Sequence, residues 1–241
     1  MNIIDQITSL IGRAEDYIAS QASPAPVPLV PVTPAPAVVV GVLPADFHIA
    51  GAERLTDQDI ADVARHLGVE LAAFRAVILT ETRGSGFDHD GRPKMLFEPH
   101  IFYRLLAAQK PDALDGAVTD DLAYQHWGAE PYPPDSYPRL LDAVDVGQEL
   151  ALQSASWGIG QVLGSNHKLA GYDSAVAMVA DACASERSQL AQMAAYIAAT
   201  GLGPALRRRD WAAFAAGYNG RGQVTTYAGE LEDNYHEGDQ S

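Results

Sequence analysis

The chain has one cysteine, Cys183, among 241 residues, and a lone thiol can form neither an internal disulfide nor a multi-cysteine metal site. It follows the apolar run Val176-Ala177-Met178-Val179, a setting that suits a small buried side chain better than a nucleophile. Positive charge is scarce: 16 lysines and arginines stand against 31 aspartates and glutamates, a formal charge of −15. That balance argues against non-specific binding to nucleic acid or to an anionic membrane, both of which need clustered cations. No run of about 18 or more apolar residues is present, so no transmembrane helix is expected. The first twenty residues, broken by Asp5, Arg13, Glu15 and Asp16, lack the apolar core of a signal peptide, and the expectation is synthesis in the cytoplasm without one. The seven histidines include no helical His-x-x-x-His pair, and Asp88-His89-Asp90-Gly91 lacks the later ligands of a calcium loop, so neither a metal nor a cofactor is implied. Internal repeats are missing as well.

What is present is enough apolar residue, 47% against 20% charged, to bury one core of ordinary domain size with some chain left over. Ile3, Ile7, Leu10, Ile11, Ala14 and Ile18 recur at spacings of three and four, which predicts an amphipathic helix over residues 1–20. It either rests on the main domain or serves as a docking or self-association helix. Residues 21–45 are rich in Pro, Ala and Val, with Pro24, Pro26, Pro28, Pro31, Pro34, Pro36 and Pro44, a composition that favours an extended, semi-rigid polyproline-II linker. Residues 46–241 form the remaining domain.

Within that domain Thr56 and Asp59 have the spacing of a capping box, Ile60, Val63, Ala64 and Leu67 form a stripe, and Gly68 is a natural stop. A second helix is predicted from about Val69 to Thr82. Arg83 to Pro93 reads as a loop with a hairpin turn around Asp90-Gly91, leading into a short strand, Met95-Leu96-Phe97. Pro99 opens another helix, residues 111–138 read as mostly irregular, and helical periodicity returns over 140–152, 175–183, 185–199 and 211–217. The expected fold class is therefore mainly α with one small β-hairpin near 87–98.

Glu81 carries the strongest chemical signal. At about 100° per residue, taking Leu71 as zero, Phe74, Val77, Ile78 and Glu81 fall at roughly −60°, −120°, −20° and −80°. A carboxyl inside an apolar stripe loses solvation of its charged form, which raises its pKa and keeps it protonated near neutral pH, as a general acid for glycosidic cleavage requires. The competing reading is a glutamate in a fraying last turn that meets water or pairs with Arg83.

Three segments weigh against that competing reading. Glu81-Thr82, Gly158-Ile159-Gly160-Gln161 and Gly217-Tyr218-Asn219-Gly220 occur in an order that resembles the goose-type lysozyme and lytic transglycosylase superfamily. More closely, ETRGSGFDHDGRPKMLFEPHIFYRLL with SASWGIGQVLGSNHKLAGY and DWAAFAAGYNG is similar to the N-acetylmuramidase family common in phage endolysins, over roughly residues 53 to 235. The resemblance implies a lysozyme-like fold and hydrolysis of the β-1,4 bond between N-acetylmuramic acid and N-acetylglucosamine in peptidoglycan glycan strands. The periplasmic wall would be reached only after release or delivery from the cytoplasm. Glu81 matches the catalytic acid, with Thr82 where serine is more usual. Gly158, Ile159, Gly160 and Gln161 match the segment lining the glycan groove, where absent side chains would let sugar approach the backbone. Tyr218 and Asn219 match the pair that holds the acid or a neighbouring sugar.

The resemblance also favours Glu98, just after the predicted strand, as the partner carboxylate. A structural Glu98 paired with Arg92, Lys94 or Arg104 is the alternative, and Asp88 and Asp90 compete from the turn. His100 either orients Glu98 or caps local structure. Trp157, beside the glycine segment, is expected to stack on a sugar face, Trp211 reads as core, and Trp127 fits either role. Two other activities stay open at this point: a lytic transglycosylase forming 1,6-anhydro-muramyl ends, and a non-catalytic wall-binding or virion-structural protein.

Overall fold

A computed structural model describes residues 43, 44 and 46–238, so the predicted helix at 1–20 and nearly all of the 21–45 linker lie outside the described residues. Ten α-helices and three short strands are described: α1 (Asp57–Leu67), α2 (Leu71–Thr82), β1 (Met95–Phe97), α3 (Pro99–Gln109), α4 (Leu114–Thr119), α5 (Tyr137–Gln153), β2 (Ala155–Trp157), β3 (Val162–Leu163), α6 (Ala175–Ala184), α7 (Glu186–Ala199), α8 (Gly203–Arg207), α9 (Trp211–Tyr218) and α10 (Val224–Gly238). The first helix begins where the capping box predicts it: Thr56 accepts from the Asp59 amide while the Asp59 carboxylate accepts from the Thr56 amide. It stops at Gly68, whose left-handed φ of 64° needs no Cβ accommodation.

Helix α2, which ends on Glu81-Thr82, is anchored by an apolar face. Ala73, Phe74, Ala76, Val77 and Ile78 are buried along it, and its most extensive packing is against α10. That C-terminal helix is absent from the sequence reading, although Val224, Tyr227, Leu231 and Tyr235 repeat at spacings of three and four. Polar tethers complete the seam: Asn234 Nδ2 donates to Thr80 Oγ1 at 2.9 Å, and the Tyr235 hydroxyl donates to Glu70 at 3.1 Å.

The sheet corrects the predicted hairpin. Phe87 and Pro93 form only an isolated bridge, and β1 pairs instead with β2, Met95 opposite Trp157 and Phe97 opposite Ala155. Strand β3 completes the antiparallel order β1-β2-β3. The long-range partner satisfies the β1 backbone, whereas residues 88–92 close on themselves through turn bonds such as Asp88 N to Arg92 O at 2.8 Å. The stretch 111–138 is more ordered than its prolines suggest, since it contains a 3₁₀ turn and α4.

Candidate active site

Glu81 sits in the last turn of α2, which Arg83 ends in a left-handed conformation with φ 55°. Neither water-facing fraying nor an Arg83 pair describes its side chain: Asn219 Nδ2 donates to Glu81 Oε1 at 2.8 Å. Burial pushes the Glu81 carboxyl up from 4.5 to about 7; the Asn219 hydrogen bond works against that rise and the charge of Glu230 adds to it. Near neutral pH the group can therefore hold a proton and release it. Asn219 occupies the C-cap of α9, so the C-terminal ends of α2 and α9 bring the carboxyl and its donor together.

The adjoining residues are mostly supports rather than sugar contacts. Thr82 is 5% exposed, and its hydroxyl donates to Ile78 O at 3.2 Å and Ile159 O at 3.3 Å. It is spent tying α2 to the 158–161 turn. Trp157 is corrected most plainly: it is 1% exposed, stacked on Phe47 with ring centroids 5.7 Å apart, and donates from Nε1 to Leu152 O at 3.1 Å. No face is left for a sugar. Ile159 is equally buried, at 1%.

The glycines are required by protein, not ligand. A Cβ on Gly158 would lie 2.6 Å from Gln189 Cγ, and one on Gly160 would lie 2.6 Å from Met193 Cβ. Gln189, unrecognised in the sequence, accepts from Ile159 N at 2.9 Å and donates to Ala182 O at 2.8 Å, a pillar beneath the turn. Tyr218 also acts on this turn: its hydroxyl donates to Gly160 O at 2.6 Å, and its ring stacks on Phe214 at 5.2 Å. Burial pushes its phenol well above 10, so it stays neutral.

Gln161 does reach the groove. Its backbone holds φ at 45°, an uncommon conformation for a residue with a side chain, and its Nε2 donates to both Lys94 O at 3.2 Å and Gly158 O at 2.9 Å. Two carbonyl acceptors fix which end of the amide is nitrogen, leaving Oε1 as the acceptor not engaged by them.

Glu98 is the N-cap of α3. Its Oε2 accepts from the Tyr132 hydroxyl and lies 3.2 Å from His100 Nδ1. Burial raises the Glu98 pKa, and the Tyr132 hydrogen bond opposes the rise. Burial and the Arg104 charge lower that of His100, so the imidazole is mainly neutral at pH 7 and stands beside Glu98 as a polar neighbour, not as a charged partner. The expected pairs with Arg92, Lys94 or Arg104 are not the ones found. Arg92 instead binds Asp88 at 2.8 Å, and Lys94 donates to Thr82 O at 2.6 Å. Tyr132 escaped the sequence reading because its loop carries no periodicity.

Glu81, Glu98, Gln161, Tyr218 and Asn219 line one open cavity of about 660 Å³. A second hollow of about 310 Å³ is bounded by Arg92, Lys94, Asp135 and Tyr137 and shares Glu81, Leu96 and Gln161 with the first. The acid therefore stands where two hollows meet, with room for a chain on either side. Among the described residues no group of three or more His, Cys, Asp or Glu could hold a metal ion, and no helix is long and apolar enough to cross a membrane.

A mainly helical domain with a short antiparallel sheet and a buried, protonatable glutamate in a polar groove defines the class of lysozyme-like glycosidases. Residues 70–239 match the Muramidase family, described as N-acetylmuramidase. The crystal structure of the Burkholderia AP3 phage endolysin is similar to this chain, with 36% identity and a TM-score of 0.67, over 78% of this chain and 73% of that one. No curated protein matches the sequence. The chain belongs to the N-acetylmuramidase family and is a peptidoglycan-cleaving glycosidase.

Proposed function

We propose that the chain is a lysozyme-type muramidase that cleaves the β-1,4 bond between N-acetylmuramic acid and N-acetylglucosamine and acts as an endolysin. Synthesis in the cytoplasm would be followed by release onto the wall. Glu81 protonates the leaving glycosidic oxygen, and Glu98 is the second carboxylate, activating water or stabilising the sugar cation. Asn219 orients the acid, and Gln161 offers an amide acceptor to an N–H of the glycan. The observation that carries this reading is the Glu81 carboxyl, lifted by burial to about 7 and held by Asn219 at the junction of the two hollows. Its pKa lies near operating pH, where general acids are most effective.

The net charge of −15 gives no long-range steering toward an anionic wall, a matter of encounter rate and not of chemistry. Mass spectrometry of a peptidoglycan digest tests the reaction. Reducing muramyl ends are expected, whereas 1,6-anhydro-muramyl ends throughout would replace hydrolysis with transglycosylation. The absence of any cleavage would leave only wall binding.

A further inference from the structure

We infer that Trp127 is the sugar-stacking platform of the larger hollow, a specificity-determining residue on the Glu98 side of the acid. The inference rests on the glycan-cleaving reading of the site and adds a contact which no motif supplies. Trp127 is 60% exposed, while the other two tryptophans, Trp157 and Trp211, are 1% and 8% exposed. A single exposed aromatic is unremarkable by itself. This one lines the same cavity as Glu81, Glu98, His100 and Ile101, and it stands five residues before Tyr132, whose hydroxyl donates to Glu98. The indole and the second carboxylate thus share one cavity, and the loop that carries the indole also supplies the donor to that carboxylate.

Its loop is built to hold that position. Pro131, Pro133 and Pro134 restrict φ along the returning arm of the loop, so little ordering remains to be done on binding. Both ends are pinned to segments flanking β1: Tyr124 N donates to Pro99 O at 3.2 Å and the Tyr137 hydroxyl donates to Pro93 O at 2.7 Å. Gly128 takes φ 72° immediately after the tryptophan, a turn that a residue with a Cβ makes at a cost. Pyranose rings present a face of C–H groups and a rim of polar groups. An apolar plate beside carboxylate, imidazole and amide groups matches both, in the usual manner of ligand sites that combine aromatic walls with a few placed polar atoms.

The test uses the full chain carrying Glu81→Gln, which removes cleavage, and soluble uncross-linked peptidoglycan glycan strands as the probe. Because the other two indoles are buried, saturable quenching or a blue shift of tryptophan emission is expected from Trp127 alone. In the same background Trp127→Ala should weaken binding by calorimetry at least about tenfold, equivalent to about 1.4 kcal/mol, with Trp127→Phe between it and the parent. With Glu81 restored, Trp127→Ala should raise KM more than it lowers kcat. Emission unmoved at calorimetric saturation, binding by Trp127→Ala within twofold of the parent, or no binding at all would overturn the platform. The two readings fail separately. Cleavage by the wild type with an unchanged KM in Trp127→Ala removes the platform alone; Trp127-dependent binding without product from the wild type removes the reaction and leaves the platform standing.

Discussion

Replacing Glu81 by glutamine removes the proton donor while keeping the shape and an oxygen for Asn219 to bond, so one substitution separates chemistry from folding. The rate should fall by about two to four orders of magnitude, the contribution of a positioned general acid. Stability should move the other way. A carboxyl whose pKa rises from 4.5 unfolded to about 7 folded holds its proton more tightly in the folded state. Its favourable contribution is fully present below 4.5, declines as pH climbs from there, and is gone above about 7. At about 1.4 kcal/mol per pH unit, the wild type should lose about 3 kcal/mol relative to Glu81→Gln across that window. At about 2–4 °C per kcal/mol for a chain of this size, the variant should melt about 6–12 °C higher at pH 8 and nearly level with the wild type at pH 4. Thermal melts at both pH values, beside a turbidity assay on purified cell walls, give the two readouts. Melting curves that stay parallel from pH 4 to 8 would refute the buried carboxyl, and activity above a tenth of wild type would refute its role as acid.

The other predictions test the neighbours of the acid. Asn219→Ala removes the hydrogen bond that holds the Glu81 pKa down, so the alkaline limb of the activity profile should move to higher pH while kcat falls roughly tenfold or more through lost orientation. Tyr132→Phe removes the donor opposing the rise of Glu98, and the acidic limb should shift upward, narrowing the profile from below. Gly158→Ala places a Cβ 2.6 Å from Gln189 at φ 66°, and overpacking plus backbone strain should cost about 2–4 kcal/mol in thermal or urea melts, with activity per folded molecule less affected than yield. If Gly158 existed to admit sugar, the balance of those two losses would be reversed.

Local rules made much of this molecule readable. The Thr56–Asp59 box, the Gly68 stop, the Pro99 start and the helical placing of Glu81 each depend on residues within a turn or two of one another, and each is found. What escaped depends on contacts distant in sequence. The expected sugar-stacking Trp157 belongs to a strand that nothing local in the sequence marks. In β2 the side chains alternate, with Ala155 and Trp157 buried and Ser156 lining the groove, so period two alone would have turned the tryptophan away from the sugar. Gly158 and Gly160 are expected to be bare so that sugar can approach the backbone, yet the groups that exclude a side chain there are Gln189 and Met193, about thirty residues away. Helix α10 had a usable stripe, diluted by Gly229 and a run of acids.

That missed helix bears on how the acid is tuned. Helix α10, which sets Tyr227 in the wall of the Glu81 cavity, brings Glu230 near enough to raise the Glu81 pKa, which makes electrostatic repulsion an attractive explanation in so acidic a chain. The order of influences argues otherwise. Burial is the largest, the Asn219 hydrogen bond comes next with opposite sign, and Glu230 is last. Glu230 is also exposed, where solvent and salt screen its charge, whereas salt does not relieve the loss of hydration that burial imposes on the carboxylate. The packing of α10 on α2 therefore matters to the acid chiefly by excluding water from its flank, and only secondarily by the charge it carries. An enzyme that sets its proton donor by burial can keep a strongly negative surface without displacing that donor from the pH range where it works.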